Sequence, residues 1–166
     1  MPFLQTAFLR KRTIPDRDAL ERAAADLGFD LVLTDFYQPF KSTGYHPCRI
    51  NGSSSGFQLS FKHAADIAVR NPNLASRIGS RDAAMEFRWT GKPGELASVM
   101  ILCAALVSQF DALVNYNDEK WQSMDDLLGE AADGDRAQVR AARISAKAAD
   151  DKQPFLAGLW AKLTGR

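Results

Sequence analysis

Between Glu95 and Asp111 the sequence carries no charge. Leu96, Val99, Met100, Leu102, Cys103, Leu106, Val107 and Phe110 nearly encircle the helix that their spacing predicts. A helix that is apolar all round must be covered on most sides. At about fifteen residues it is short for a membrane span, so it is expected to be the core helix of a soluble domain. The segments on either side read as strands. In Ala83–Trp89, Met85, Phe87 and Trp89 alternate with Glu86 and Arg88, which predicts a half-buried strand, and Ala112 to Tyr116 predicts another. The centre of the chain is therefore strand, buried helix, strand.

Other elements fall in order around this unit. Phe3 to Leu9 reads as a first strand, although its pattern also allows a helix, and Arg10-Lys11-Arg12 ends it in a solvated turn. A helix is expected from Asp16 to Leu27, stopped by Gly28, and a strand from Phe29 to Thr34. An aromatic loop, Asp35 to Tyr45, precedes a hairpin of Tyr45 to Ile50 with Phe57 to Phe61, joined by the turn-rich Asn51-Gly52-Ser53-Ser54-Ser55-Gly56. In Lys62 to Ser80 a short helix ends before Asn71-Pro72, and the remainder reads as surface loop. Ser123 is the expected N-cap of a helix from Met124 to about Ala132.

Asp133-Gly134-Asp135 reads as a boundary, so residues 1–132 are expected to form a single α+β domain and residues 133–166 a helical C-terminal tail. In that tail Arg136 to Ala149 reads as helix, and Pro154 opens a last helix striped with Phe155, Leu156, Leu159, Trp160 and Leu163. Four acids against seven bases give the tail +3, leaving −2 for the body of a chain whose formal net charge is +1. The fold expected is α+β: one mixed or mostly antiparallel sheet, with helices packed on one face and a C-terminal helical tail. The near-zero net charge gives no global footprint for nucleic acid. Two cysteines make no disulfide framework, and core thiols of a cytoplasmic protein are the expectation. The N-terminal MPFLQTAFLRKR has its charges after the apolar run, unlike a secretory signal.

Candidate chemistry is sparse. His46, Cys48 and His63 supply nitrogen and sulfur donors for a metal, or a cysteine nucleophile beside a base. However, alternation aims Cys48 at the core, where a thiol is inert, and no second ligand pair has zinc-like spacing. Gly91-Lys92-Pro93-Gly94 lies between strand and helix but lacks the glycine spacing and the Lys-Ser or Lys-Thr of a phosphate loop. No catalytic residue, metal or cofactor is therefore expected. Three binding surfaces stand out instead: the aromatic loop residues Phe36, Tyr37, Phe40 and Tyr45; the acidic run Asp118, Glu119, Asp125, Asp126 and Glu130 around Trp121; and the stripe of the tail helix.

The run Gly44-Tyr45-His46-Pro47-Cys48-Arg49-Ile50-Asn51-Gly52 followed by Ser55-Gly56-Phe57-Gln58-Leu59 resembles a hairpin of bacterial polymorphic-toxin immunity proteins, of the contact-dependent or type VI secretion type. Glu86-Phe87-Arg88-Trp89, the Ala104-Ala105-Leu106 helix and Val114-Asn115-Tyr116-Asn117 with Trp121 extend the likeness over Phe3 to Ala132. The chain departs from the pattern at Gln58, where an acid is expected, and at Asn117, where an aspartate is expected. The resemblance implies a cytoplasmic, non-enzymatic protein that neutralises one cognate toxin from a neighbouring cell, usually by covering its active site. Phe36, Tyr37, Phe40, Tyr45, Asp118, Glu119, Trp121, Asp125 and Asp126 are then the expected partner-binding residues, with no nucleic acid or membrane span involved. The alternatives are a small metal- or cysteine-dependent enzyme using His46, Cys48 and His63, and a docking module of a secretion apparatus.

Overall fold

A computed structural model describes the backbone of residues 2–163 and the side chains of residues 2–150. Seven strands form one sheet: β1 (Phe3–Leu9), β2 (Leu31–Leu33), β3 (Gly44–Ile50), β4 (Ser53–His63), β5 (Ala83–Trp89), β6 (Leu113–Tyr116) and β7 (Lys120–Gln122). Their order is β2-β3-β4-β5-β1-β6-β7, and every pair is antiparallel. The helices are α1 (Arg17–Asp26), α2 (Ala64–Arg70), α3 (Pro72–Ile78), α4 (Pro93–Phe110) and α5 (Met124–Leu163). The fold is α+β, as expected.

The charge-free segment is α4, and its residues from Ala97 to Leu106 are buried without exception. By length and hydropathy it is the one described helix apolar enough to cross a membrane, yet 67% of it is buried inside the protein. The sheet covers one side of it through Ala7, Leu9, Phe57, Leu59, Met85 and Phe87, and Leu20, Ala23 and Ala24 of α1 join the same core with Leu127 and Ala131 of α5. Burying one such Leu, Ile or Met side chain contributes about 1.5–3 kcal/mol, so this helix supplies much of the fold's driving force. Its ends are held by side chains. Glu95 accepts hydrogen bonds from the backbone N–H (2.7 Å) and hydroxyl (2.8 Å) of Thr90, and Arg81 donates to the carbonyl (2.8 Å) and carboxylate (2.9 Å) of Asp111 beyond the last turn.

Five expectations are corrected. The sheet is covered on both faces: Ile67 of α2 and Leu74 and Ile78 of α3 form a second core with Phe8 and Ala84. Glu86, expected to face solvent, is buried because β5 is flanked by β4 and β1, and it accepts a hydrogen bond from Ser60 (3.2 Å). The segment after Asn71 is not a loop, since Pro72 opens α3, where its missing N–H costs nothing. The hairpin turn is Asn51-Gly52 alone, both at positive φ (48° and 83°), so β4 begins at Ser53 rather than Phe57.

The fifth correction concerns Asp133-Gly134-Asp135, which α5 crosses without a break. A Cβ on Gly134 would meet the Pro93 carbonyl at 2.9 Å and the Ala97 nitrogen at 3.0 Å. The glycine lets α5 pass close to α4 and does not end a helix. Beyond it, Asp135 accepts from Asn51 (3.2 Å) and Gln138 donates to the Ser54 carbonyl (3.0 Å), so these residues pack on the body. The stripe Phe155, Leu156, Leu159, Trp160 and Leu163 lies outside the described side chains.

Two glycines of α5 separate close approach from intrinsic helix propensity. Gly134→Ala is expected to destabilise the protein by about 1–3 kcal/mol, because α4 and α5 must move apart. Gly129→Ala, with nothing within 4 Å of the added carbon, is expected to stabilise by up to about 1 kcal/mol. Urea denaturation of both variants checks the pair, and equal shifts would refute the close-approach argument.

Candidate functional site

The sequence-predicted binding residues fall at two opposite ends of the sheet. The aromatic loop connects β2 to β3 at one edge, whereas Asp118, Glu119, Trp121, Asp125 and Asp126 surround β7 at the other. Two separate surfaces result.

Within the aromatic loop the four rings part company. Tyr37 is buried and donates a hydrogen bond to the Pro15 carbonyl (3.1 Å), and burial pushes its phenol well above the ordinary range. It plugs the core over His46, the two rings meeting edge to face at 6.5 Å. Phe40 packs on Phe61 at 5.1 Å with the Lys11 ammonium 4.7 Å from its ring centre. Phe36 is 80% exposed and Tyr45 53% exposed, so these two face outward. Tyr45 lies across Gly56, where any Cβ would overlap its ring. The glycine of the Ser-Gly-Phe run is thus explained by a cross-strand aromatic neighbour.

At the far edge, the β6–β7 hairpin turns through Asn117 and Asp118, both left-handed (φ 50° and 60°). Asn and Asp tolerate that region because their short polar side chains bond locally. Asn117 accepts from the Leu4 N–H (3.0 Å), and the Asp118 carbonyl accepts from the Asn71 side chain (3.2 Å). The tip is braced, and it leaves the Asp118 and Glu119 side chains exposed. Asp125 is exposed nearby in the first turn of α5. Asp126 has another task. It and Ser123 form a reciprocal cap (3.0 and 3.1 Å), whose hydrogen bonds hold its carboxyl below the usual range. Trp121 is turned inward, against Phe8 at 5.9 Å and beneath the Arg77 guanidinium at 5.1 Å.

The proposed metal or cysteine trio does not assemble. His46 lies opposite Phe57 on β4, and His63 is six residues further along that strand, roughly 20 Å away at strand rise. Among the described residues no group of three His, Cys, Asp or Glu side chains is placed to hold a metal ion. Cys48 is buried with its sulfur 3.3 Å from the Ser98 hydroxyl, and burial raises its thiol pKa, as it does for Cys103. Neither thiol is set up as a nucleophile. The Gly91–Gly94 turn is likewise structural, braced by Glu95 and Thr90.

Sequence reasoning missed one concave site. A cleft of about 350 Å³ opens where β1, β5 and β6 meet the start of α4 and the second turn of α5, lined by Phe3, Trp89, Gly91, Leu96, Tyr116 and Glu130. Phe3 lies opposite Trp89 in register, their rings stacked at 5.4 Å, and Tyr116 follows Trp89 at 6.3 Å. Gln5, two residues from Phe3 on the same face, bonds through its amide nitrogen to Gln122, which donates to Glu130 (3.0 Å). Burial raises the Glu130 carboxyl pKa; Lys120 lowers it and Asp126 raises it by smaller amounts. Pairing of distant strands creates this site, and only the register places Phe3 beside Trp89.

Comparisons with family profiles, with curated proteins and with solved structures find no match to this chain.

His46 gives the core a pH dependence. Its ring is buried between Tyr37 and Phe57, its Nε2 has no hydrogen-bond partner among the described residues, and burial lowers its pKa from the ordinary 6.5. The unfolded chain therefore binds the proton more readily. Stability from this group is complete above pH 6.5 and is lost as the pH falls through 6.5 toward the lowered folded value. Urea denaturation above and below that pH is expected to show the loss in the wild type and a flatter profile in His46→Phe. Identical profiles would assign the titration to another group.

Proposed function

We propose that this chain is an immunity protein that binds a cognate secreted toxin domain and neutralises it by covering the toxin's active site. The observation that carries this reading is the braced acidic edge, where Asp118 and Glu119 project from a hairpin tip fixed by Leu4 and Asn71, with Asp125 exposed beside them. Carboxylates on a fixed scaffold lose little freedom on binding and attract a basic cleft at long range. If the toxin is a nuclease, they occupy the place of substrate phosphates.

Two further details support the resemblance. Tyr45 on Gly56 gives the Gly-x-x-Pro and Ser-Gly-Phe segments a shared structural purpose, since they pair across β3 and β4. At Asn117, where the pattern calls for aspartate, the side-chain oxygen accepts the Leu4 N–H, a task that an aspartate oxygen performs equally. Gln58 has no such explanation. The exposed Phe36 offers a second anchor at the opposite edge.

Co-expression with the toxin encoded next to this gene tests the reading: copurification and rescue of growth are expected, and failure of both refutes it. Charge reversal at Asp118, Glu119 and Asp125 is expected to weaken the complex about tenfold or more at low ionic strength and less at high. These three are chosen because Asp126 caps α5 and its loss would unsettle the fold. Unchanged affinity in all three would place the interface at Phe36 and Tyr45 instead.

A further inference from the structure

We propose that the cleft formed by Phe3, Trp89, Tyr116 and Glu130 binds an organic monocation, an alkylammonium or guanidinium group seated on the aromatic faces with Glu130 as its counter-charge. The inference does not depend on the toxin-binding reading.

The geometry is that of a row of rings with one acidic wall: Trp89, 4% exposed, lies beneath, and Phe3, 39% exposed, and the half-buried Tyr116 present the open rings. Three rings run in series, Phe3 to Trp89 at 5.4 Å and Trp89 to Tyr116 at 6.3 Å, and Leu96 closes the apolar lining. Ring faces carry negative quadrupolar potential and attract a cation that sheds its water. Gly91, at φ +92°, turns the chain beside the Phe3 ring in a conformation that favours glycine. A volume of about 350 Å³ sits at the small end of ligand sites and suits a compact head group.

Charge selects a cation over a neutral apolar ligand. Glu130 makes no ion pair among the described residues. The nearby base, Lys120, leans toward Asp126 at 3.9 Å, and Asp133 is held by Arg136. Gln122 donates to the Glu130 carboxyl, and behind it the Gln5 side chain is fully buried, its oxygen without a partner among the described residues. Glu130 is thus a positioned carboxylate beside aromatic rings, short of the positive charge that would complete it. The same head group reaches such a site either as a free small molecule or at the end of a lysine or arginine side chain.

Titration of the full chain, followed by amide and indole NMR, tests this with tetramethylammonium and methylguanidinium as cations and tert-butanol as the neutral control. Saturable shifts of the Trp89 indole, Gly91 and Tyr116 are expected with at least one cation, at about tenfold higher affinity than for tert-butanol. Tighter binding of methylguanidinium would indicate the arginine-like source, and tighter binding of tetramethylammonium a free quaternary amine. Glu130→Gln is expected to abolish the preference for the cations over tert-butanol, and Phe3→Leu, at an exposed strand end, to weaken cation binding while the remaining spectrum is unchanged. Absence of saturable shifts with either cation, or equal affinity for tert-butanol in the wild type, would overturn the proposal whatever the variants do. Undiminished preference in a folded Glu130→Gln would overturn it as well.

Discussion

The burial of α4 is the constraint on which the rest depends. A helix without a charged residue between Glu95 and Asp111 has no face to offer water, so the chain must build walls around it. The sheet provides one wall, and α1 and α5 provide the others. This explains why α5 runs on through Gly134, because the close pass over Pro93 and Ala97 completes the cover along the first turns of α4. Both ends of the helix are also tied to their flanking segments by side chains, Glu95 to Thr90 at one and Arg81 to Asp111 at the other.

With the interior committed to α4, what remains for recognition is periphery. The sheet has two edges, and each carries a different chemistry: an aromatic loop next to β2 and β3, and an acidic hairpin at β6 and β7. Each surface keeps only part of what its sequence offers. Tyr37 and Trp121 are drawn inward as packing, and Asp126 is used as a helix cap, so the outward-facing groups reduce to Phe36 and Tyr45 at one edge and Asp118, Glu119 and Asp125 at the other. The aromatic cleft lies near the acidic edge, since Tyr116 precedes the hairpin tip and Glu130 belongs to the helix that follows it.

The misreadings share a cause. Asn71-Pro72 and Asp133-Gly134-Asp135 were locally sound breakers, but their effect depends on where the chain packs. Proline at the first position of α3 starts a helix, and glycine at a helix crossing serves proximity. Glu86 and Arg88 alternate as expected for a strand with one wet face, yet α2 and α3 cover part of that face at Ala84, and Glu86 is buried between Ser60 of β4 and Thr6 of β1. Among the candidate site residues, composition marked the acidic and aromatic segments as unusual. It did not separate Phe36 from Tyr37, which stand next to each other and face opposite ways.

The sequence by itself determined the buried helix, the alternation of the long strands, the cap at Ser123 and the inert placement of Cys48, because each follows from periodicity or from hydrogen bonds within a few residues. Only the tertiary structure decided the strand order, the second helical layer, the passage of α5 over α4 and the meeting of Phe3, Trp89, Tyr116 and Glu130. Those features arise from contacts between segments distant along the chain, and the register that aligns Phe3 with Trp89 is set by which faces are buried together.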